Sequence, residues 1–299
     1  MTTDPGSGAA PIAGAAPEAW VPSEIELARR AVRKRMDRRR IVIATVSSLV
    51  VFGGLIALLV TSPGWQTFQE TFFDLAYARE VFGGILSAFK TDLVILFFST
   101  ILISVLAMAL ALLRTTRAAA SAPFRILSTG YVDLFRGIPL LLVLYLVGFG
   151  IPALQISWLP TSTMLWGTVA ISLTYAAYVA EVIRSGILSI HPSQRAAARA
   201  LGLTQGQTMR HVVLPQALRR VVPPLLNDFV SLLKDVALVS VLGVPEGVRQ
   251  AQIYASESFN FTPYVVAAAI FLVITIPLTR VTDKVLARAI ARQSAQGTA

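Results

Sequence analysis

Runs of about twenty apolar residues constrain the fold of this chain more than any other feature of its sequence. A hydrocarbon core about 30 Å thick is crossed by roughly 20 helical residues, and it holds no water to hydrogen-bond the backbone. Six such runs are present, at residues 41–60, 93–113, 138–154, 162–180, 224–244 and 263–281. The 299 residues are 55% hydrophobic and 14% charged, too apolar for a soluble surface. The sequence predicts an all-α integral membrane protein with six transmembrane helices.

Lysine and arginine residues cluster on one side of these runs. The clusters are eight residues in 29–40, three in 114–125, six in 184–220 and four in 280–292. The segments on the other side carry only three: Arg79, Lys90 and Arg249. Because Lys and Arg are enriched in cytoplasmic loops, we predict that both termini are cytoplasmic. This topology accounts for the net charge of +10 without a nucleic-acid partner.

The two ends of the chain are predicted to be cytoplasmic tails. Residues 1–40 begin rich in Ala, Pro and Gly and end in a basic, helix-permissive stretch, so we predict a disordered, basic tail whose last part lies along the anionic inner leaflet. Residues 41–61 form the first transmembrane helix, and residues 286–299 form the C-terminal tail. A cleaved secretory signal is the alternative, but its apolar region is usually only about 7–15 residues long.

Sequence motifs of enzymes and metal sites are absent. The chain has no Gly-Lys dipeptide and therefore no Walker A loop, no Gly-x-Ser-x-Gly motif and no cysteine. Its two histidines, His191 and His211, lack the spacing of metal ligands. We therefore predict no catalytic residue, no metal site and no cofactor within this chain.

The stretch AAARALGLTQGQTMRHVVLP, residues 196–215, interrupts the apolar sequence. Ser193 is predicted to cap a first short helix over 194–201, and Gly202 suits its C-terminus. Thr204 and Gln207 have the capping-box spacing that starts a second helix.

The second helix is predicted to run to Leu214, and Pro215 to end or kink it. Each helix is too short to be stable alone in water. A docking loop, a DNA-binding helix-turn-helix and an ordinary solvated loop are the three interpretations.

This loop resembles the cytoplasmic motif of the membrane subunits of bacterial ATP-binding-cassette (ABC) importers, which reads Glu-Ala-Ala, three residues, Gly, nine residues, Ile-x-Leu-Pro. The matching residues are Ala197, Ala198, Gly202, Leu214 and Pro215, with Val212 at the Ile position and Ala196 in place of Glu. Four more segments, YVDLFRGIPLLL, YAAYVAEVIRSGILSI, LPQALRRVVPPLLNDFVSLLKD and SVLGVPE, resemble the polar amino acid branch of that family, which carries His, Glu, Gln, Arg and opines.

The resemblance implies one N-terminal helix followed by a five-helix permease core at 85–285, with a coupling loop at 186–220. That loop would dock on a cytoplasmic ATPase dimer, which binds the ATP and Mg. The coupling residues implied are Arg195, Ala196, Ala197, Ala198, Arg199, Gly202, Leu214 and Pro215.

A polar stripe on the fifth predicted helix is the candidate substrate pathway. At about 100° per residue, Asp228 and Asp235 share one azimuth, and the stripe is completed by three neighbours: Asn227, Ser231 and Lys234. Ionisable residues inside a span mark a pathway by default. In the functional interpretation Lys234 meets a substrate carboxylate and the acids meet an ammonium; the alternative is an internal ion pair with interfacial polar residues.

The resemblance also bears on this stripe, because matching positions hold the amino acid in some family members. In this chain Val236 and Ala237 replace a Thr-Ser pair that is common there. Two further pairs, Arg136 with Asp133 and Arg184 with Glu181, are predicted to be structural ion pairs at the cytoplasmic ends of helices.

Together these features predict the permease subunit of an ABC importer for a polar or charged amino acid in a bacterial plasma membrane. Its partners would be the ATPase dimer, a second permease subunit (this chain or a homologue), membrane lipid and an extracytoplasmic binding protein. The binding protein would contact the outward segments 62–90 and 245–261. An ion-gradient-driven secondary transporter is the alternative, although no second copy of any segment is present.

Overall fold

The computed structural model describes residues 23–116 and 121–296, and every regular element in these ranges is helical. The chain divides into two units, Met1–Trp65 and Gln66–Ala299. Residues 1–22 of the predicted N-terminal tail therefore lie outside the described residues. From Glu24 onward, the basic stretch that the sequence identifies as helix-permissive is helical.

The first unit contains one long helix, α1, at Glu24–Val60. The Ser23 side chain caps it by accepting a hydrogen bond from the N–H of Glu26 at 3.3 Å, and two acidic residues in the first turn favour the positive end of the helix dipole. The helix passes without a break from the basic stretch into the apolar run, and neither contains a proline.

The second unit contains the remaining helices. They are α2 Trp65–Phe72, α3 Leu75–Thr115, α4 Ala122–Gly137, α5 Leu140–Ala153, α6 Thr163–Leu188, α7 Pro192–Ala200, α8 Gln205–Thr208, α9 Leu214–Asp235, α10 Gly247–Ser258 and α11 Thr262–Gln296. A π-helical turn, Met209–Val213, joins α8 to α9, and a 3₁₀ helix, Val236–Leu242, follows α9.

Four helical segments in the described residues are long and apolar enough to cross a membrane: Glu24–Val60, Trp65–Thr115 (α2 together with α3), Thr163–Leu188 and Thr262–Arg288. The number is five if the bent pair α4 and α5 counts as one span. These helices contain the first, second, fourth and sixth predicted runs. The third and fifth runs differ from the prediction of single continuous spans.

The third predicted run, 138–154, is not one straight helix. α4 and α5 meet at a bend of 108°, and Ile138 between them is extended, with φ −103° and ψ 132°. The cause is Pro139, which disfavours the helical conformation for the residue before it. α5 alone is about 21 Å long at about 1.5 Å per residue, shorter than a hydrocarbon core.

The fifth predicted run, 224–244, is also divided. α9 begins earlier, at Leu214, and ends at Asp235, where the tighter 3₁₀ helix takes over. Val236 and Val239 of that segment are fully buried, and it packs against α5 and α6. Gly243, with φ +81°, ends it. The packing of this valine-rich segment against its neighbours therefore prevents the single continuous helix that hydropathy predicts for residues 224–244.

α6 is the central helix of the second unit. It packs against α3, α4, α5 and α9, and it buries a larger share of its apolar length than any other candidate span. Its buried positions are mostly small: Gly167, Ala170, Ser172, Ala176, Ala177, Ala180 and Gly186. Small side chains allow close approach of helices in a membrane, so α6 brings its neighbours within contact of one another.

Two acidic side chains join α3 to the start of α10. Asp92 is 1% exposed and Glu246 is 0% exposed. Asp92 Oδ2 accepts a hydrogen bond from the N–H of Gly247 at 3.0 Å, and the Glu246 carboxyl accepts from the N–H groups of Val248 and Arg249 at 2.8 and 2.6 Å. The two carboxyl groups therefore cap α10 together, and burial, followed by the nearby Asp92 carboxylate, raises the pKa of Glu246 to about 8.

This raised pKa predicts that acid stabilises the second unit. Between the ordinary pKa of 4.5 and about 8, the folded chain keeps a proton on Glu246 that the unfolded chain releases, so the free energy of unfolding falls as pH rises through that window. We expect the thermal unfolding temperature in detergent to fall from pH 5 to pH 8, and Glu246→Gln to flatten that dependence. Glu257→Gln, at an exposed position of the same helix, is the control; an equal flattening there would contradict the assignment.

Candidate functional site

The polar stripe of α9 faces two environments. Asp228, Ser231 and Asp235 are half-buried, whereas Asn227 and Lys234 are exposed. The stripe therefore has a buried acidic edge and an exposed edge that carries the lysine. None of the ion pairs in the described parts of the chain includes Lys234, so the internal pair of the alternative interpretation is not formed.

The acidic edge of the stripe is bound to α6. The Tyr175 hydroxyl donates a hydrogen bond to Asp235 Oδ2 at 2.6 Å, and Tyr175 is 8% exposed. The Asp228 Oδ2 is buried and has no hydrogen-bond partner among residues 23–116 and 121–296. This edge can accept hydrogen bonds from a donor-rich group.

Tyr175 was not predicted as a site residue. Periodicity along one helix identifies the residues that share a face, but it does not identify the residue of another helix that meets them. The position of Tyr175 within an apolar run next to small residues carried no signal of a polar contact.

Basic residues at the C-terminal ends of α3 and α6 meet at one glutamate. Glu181 accepts hydrogen bonds from Arg184 at 2.5 Å and from Arg114 at 2.6 Å. The predicted pair of Arg184 and Glu181 is confirmed, and Arg114 of α3 adds a link between helices that the sequence did not indicate. The C-terminal ends of α3 and α6 therefore lie side by side.

The predicted pair of Arg136 with Asp133 does not form. The Arg136 guanidinium lies instead over the ring of Tyr178 on α6, at 5.8 Å from its centroid. A planar guanidinium is attracted to an aromatic face, and this contact joins α4 to α6, whereas a pair with Asp133 would have stayed within α4.

The first loop helix, α7, begins two residues earlier than predicted, at Pro192. His191, not Ser193, is the N-cap, and its Nδ1 accepts a hydrogen bond from the Ser193 N–H at 3.3 Å. Pro192 occupies the first helical turn, where its missing N–H and fixed φ are favourable. The cap therefore moves to the residue before the proline.

The end of α7 is a glycine turn. Gly202 has φ +84°, its N–H donates to Arg199 O, and the Leu203 N–H donates to Ala198 O. This is the Schellman pattern of helix C-termini. The predicted capping box of the second helix is also present, with Thr204 and Gln207 bonded reciprocally.

The helix after Gly202 does not end at Pro215. The chain continues through the π-helical turn, in which the Leu214 N–H bonds to Met209 O, directly into α9. A proline lacks an N–H and its ring presses on the preceding turn. The wider π turn accommodates both effects, so Pro215 lies in the first turn of α9 and the loop is continuous with the helix that carries the stripe.

The predicted coupling residues have different surroundings. Ala196, Ala197, Arg199, Gly202 and Pro215 are exposed, Leu214 is half-buried and Ala198 is buried. Arg195 is half-buried and donates to Ile187 O at 2.7 Å. Leu201, which was not predicted, is 84% exposed, so an apolar side chain projects from the tip of the loop.

The DNA-binding interpretation of the loop has no support in this arrangement. A helix-turn-helix is carried by its own small helical core. α8 has four residues and is continuous with α9, and α9 packs against α6 and α11. The loop belongs to the helical bundle.

Most of the second unit matches proteins of known class. Residues 117–291 match the family described as "Binding-protein-dependent transport system inner membrane component". Probable glutamine ABC transporter permease protein GlnM of Bacillus subtilis (strain 168) is 37% identical over 192 residues, covering 61% of this chain and 86% of the relative. Arginine transport system permease protein ArtQ of the same organism is 37% identical over 158 residues, covering 52% and 71%.

Solved structures give the same result. A chain of an amino acid ABC transporter crystallised with histidines is 31% identical, with a TM-score of 0.64 over 72% of this chain and 98% of that chain. The MetNI methionine ABC transporter in an inward facing conformation is 20% identical, with a TM-score of 0.53 over 73% and 99%, and it shares the fold.

The hydrogen bond between α6 and α9 predicts a stability difference between two tyrosine variants. Tyr175→Phe leaves the Asp235 carboxylate half-buried without its donor, and we expect the free energy of unfolding to fall by about 2 kcal/mol. Tyr178→Phe is the matched control, because the exposed Tyr178 hydroxyl makes no hydrogen bond in the described ranges and its ring remains under Arg136. Thermal unfolding in detergent measures both, and an equal loss in the two variants would contradict the role of the Tyr175 hydroxyl.

Proposed function

The chain belongs to the family of binding-protein-dependent transport system inner membrane components, and we propose that its α9 stripe lines the pathway of a polar or charged amino acid. Its relatives and the most similar structure described above are permeases for amino acids in ABC transporters. The protein is accordingly a multi-pass permease of a bacterial inner membrane. No comparison favours the ion-gradient-driven alternative.

One observation carries the assignment of the pathway. α9 joins the exposed loop at its N-terminus and carries the polar stripe toward its C-terminus. A partner that moves the loop would therefore act on the same helix that would contact the substrate. This continuity is what an ATP-driven permease requires, since the ATPase and the substrate occupy different ends of the subunit.

The stripe suggests how an amino acid would be held. Its acidic edge offers carboxylate oxygens to an ammonium or guanidinium group, and its exposed edge offers Lys234 to a carboxylate. The Asp228 carboxylate with its unpartnered oxygen is the strongest candidate acceptor, because an unpaired buried acceptor gains most from a donor. The glutamine and arginine named for the two relatives have donor-rich side chains of this kind.

The partners that we propose follow from the family and from the exposed loop. Leu201 and the exposed alanines of α7 would dock on an ATPase subunit, which binds the ATP and Mg and hydrolyses the nucleotide. An ATPase dimer has two docking sites and this chain has one such loop, so a second permease subunit, identical or homologous, completes the complex. The outward segments 62–90 and 245–261 would receive the extracytoplasmic binding protein.

Reconstitution tests this function directly. The complex purified with its ATPase is placed in liposomes that contain ATP, the binding protein is added outside, and uptake of labelled glutamine, arginine, histidine and glutamate is measured. We expect uptake that requires ATP and the binding protein, and Asp228→Asn to raise the half-saturating concentration. Accumulation by this chain alone under a proton gradient would instead establish a secondary transporter.

The loop turn provides a second test. A Cβ at Gly202 meets no atom within 4 Å, but a non-glycine residue at φ +84° costs roughly 1–2 kcal/mol, more for a branched one. Gly202→Val should redirect α8 and lower uptake and substrate-stimulated ATPase activity together, with normal membrane insertion. Gly206→Val is the control, since Gly206 is equally open and helical. Wild-type uptake in Gly202→Val would identify an ordinary solvated loop.

A further inference from the structure

Two arginines from different helices cap the C-terminus of α6. Arg195 of α7 donates to Ile187 O at 2.7 Å. Arg220 of α9 donates to Ser189 O at 2.7 Å and to the Ser189 hydroxyl at 3.2 Å. The last carbonyls of a helix lack partners within the helix and carry the negative end of its dipole, so both guanidinium groups occupy favourable positions.

The same region is joined by two further contacts. Gln216 of α9 donates to the Gln194 side chain of α7 at 3.1 Å. Gly186 of α6 packs so closely on Val221 of α9 that an added Cβ would overlap the valine side chain. Side-chain contacts therefore join three segments pairwise: the end of α6, the loop helix α7 and the first turns of α9. We name this region the loop joint.

The loop joint lies at a fixed distance from the stripe on both helices. Tyr175 precedes Ser189 by roughly 21 Å of helix, and Asp235 follows Arg220 by roughly 22 Å, at about 1.5 Å per residue. The Tyr175–Asp235 hydrogen bond is thus a second link between the same two helices. α6 and α9 are connected both at the loop and at the polar stripe.

From this geometry we propose that the loop joint moves as one body and that Arg220 is the positioning residue that holds the start of α9 to the end of α6. A displacement of α7, which Arg195 joins to α6 and Gln194 joins to α9, then moves both helices together. The inference rests on the proposed function, since it requires a partner that displaces the loop. Without the arginine caps, α7 is attached to α6 only through the backbone around His191. A displacement of the loop would then change the backbone conformation at His191 instead of moving α6. With the caps, the same displacement moves α9, which carries the stripe, together with α6, whose Tyr175 is hydrogen-bonded to the stripe.

Arginine suits this role better than lysine. Arg220 contacts both the carbonyl and the hydroxyl of Ser189 through Nη1, and the planar guanidinium fixes the directions of the N–H bonds of that nitrogen. Lysine keeps the charge but on a flexible stem with a single ammonium group. A lysine at this position should therefore restore part of the function that a neutral side chain loses.

The first test compares two neighbouring arginines in the reconstituted complex. Arg219 is exposed and makes no hydrogen bond or ion pair in the described ranges, so Arg219→Met is the matched control for Arg220→Met. We expect Arg220→Met to bind the ATPase and hydrolyse ATP, while uptake per ATP falls on the order of tenfold, about the factor for one lost charge-assisted hydrogen bond. Arg220→Lys should recover part of that ratio.

Three results distinguish the proposals. A wild-type ratio in Arg220→Met, or an equal loss in Arg219→Met, would overturn the role of Arg220. Loss of ATPase binding in Arg220→Met would likewise overturn it, because it would indicate a structural role in the loop surface. Absence of ATP-driven uptake by the wild-type complex would contradict the proposed function itself.

The second test uses the absence of cysteine from the sequence. In a variant with Gln194→Cys and Gln216→Cys, the two cysteines can be joined by a short cleavable bis-maleimide, with no other thiol in this chain to react. If the loop joint moves as one body, the cross-linked complex should keep its ATP-driven uptake, as should the same variant treated with a monofunctional maleimide. Loss of uptake on cross-linking, restored by cleavage, would show that α7 and α9 move relative to each other and would overturn the inference.

Discussion

The requirement that buried polar groups be hydrogen-bonded governs this structure. Long apolar sequence can satisfy its backbone only in helices when no water is present, and the described residues contain no other regular element. The same requirement explains how the helices end. Asp74, Ser162 and Thr204 cap N-termini with their side chains, and Arg195 and Arg220 cap a C-terminus from neighbouring elements.

At three places in the bundle, a buried or half-buried carboxyl group meets this requirement by accepting hydrogen bonds. Glu181 is held by two arginines, Asp235 by a tyrosine hydroxyl, and Glu246 by backbone N–H groups next to Asp92. In each place at least one contact joins two different helices. Asp92 and Asp228 each keep one buried oxygen without a partner among the described residues. Asp228 lies on the stripe of α9, and we propose that a donor from the substrate binds it there.

The mechanism that we propose connects these places through α6 and α9. A loop docked on an ATPase would move as a body with the ends of both helices. The stripe would respond because α9 carries it and Tyr175 of α6 is hydrogen-bonded to it. Coupling of the loop to the stripe in this arrangement requires only that one packed unit has two positions. It does not require an extended chain of weak contacts. The exposed edge of the stripe fits a pathway completed by a second permease subunit.

The sequence alone determined the helical class, four of the runs that the structure contains as candidate spans, the turn at Gly202 and the capping box at Thr204. These features depend on hydropathy and on backbone conformations that a residue imposes on its near neighbours. Only the tertiary structure decided the bend at Pro139, the 3₁₀ helix after α9 and the partners of Asp235, Glu181 and Arg220. Such contacts join residues on different helices, and side-chain pairing of that kind depends on how the helices pack, which no local pattern specifies.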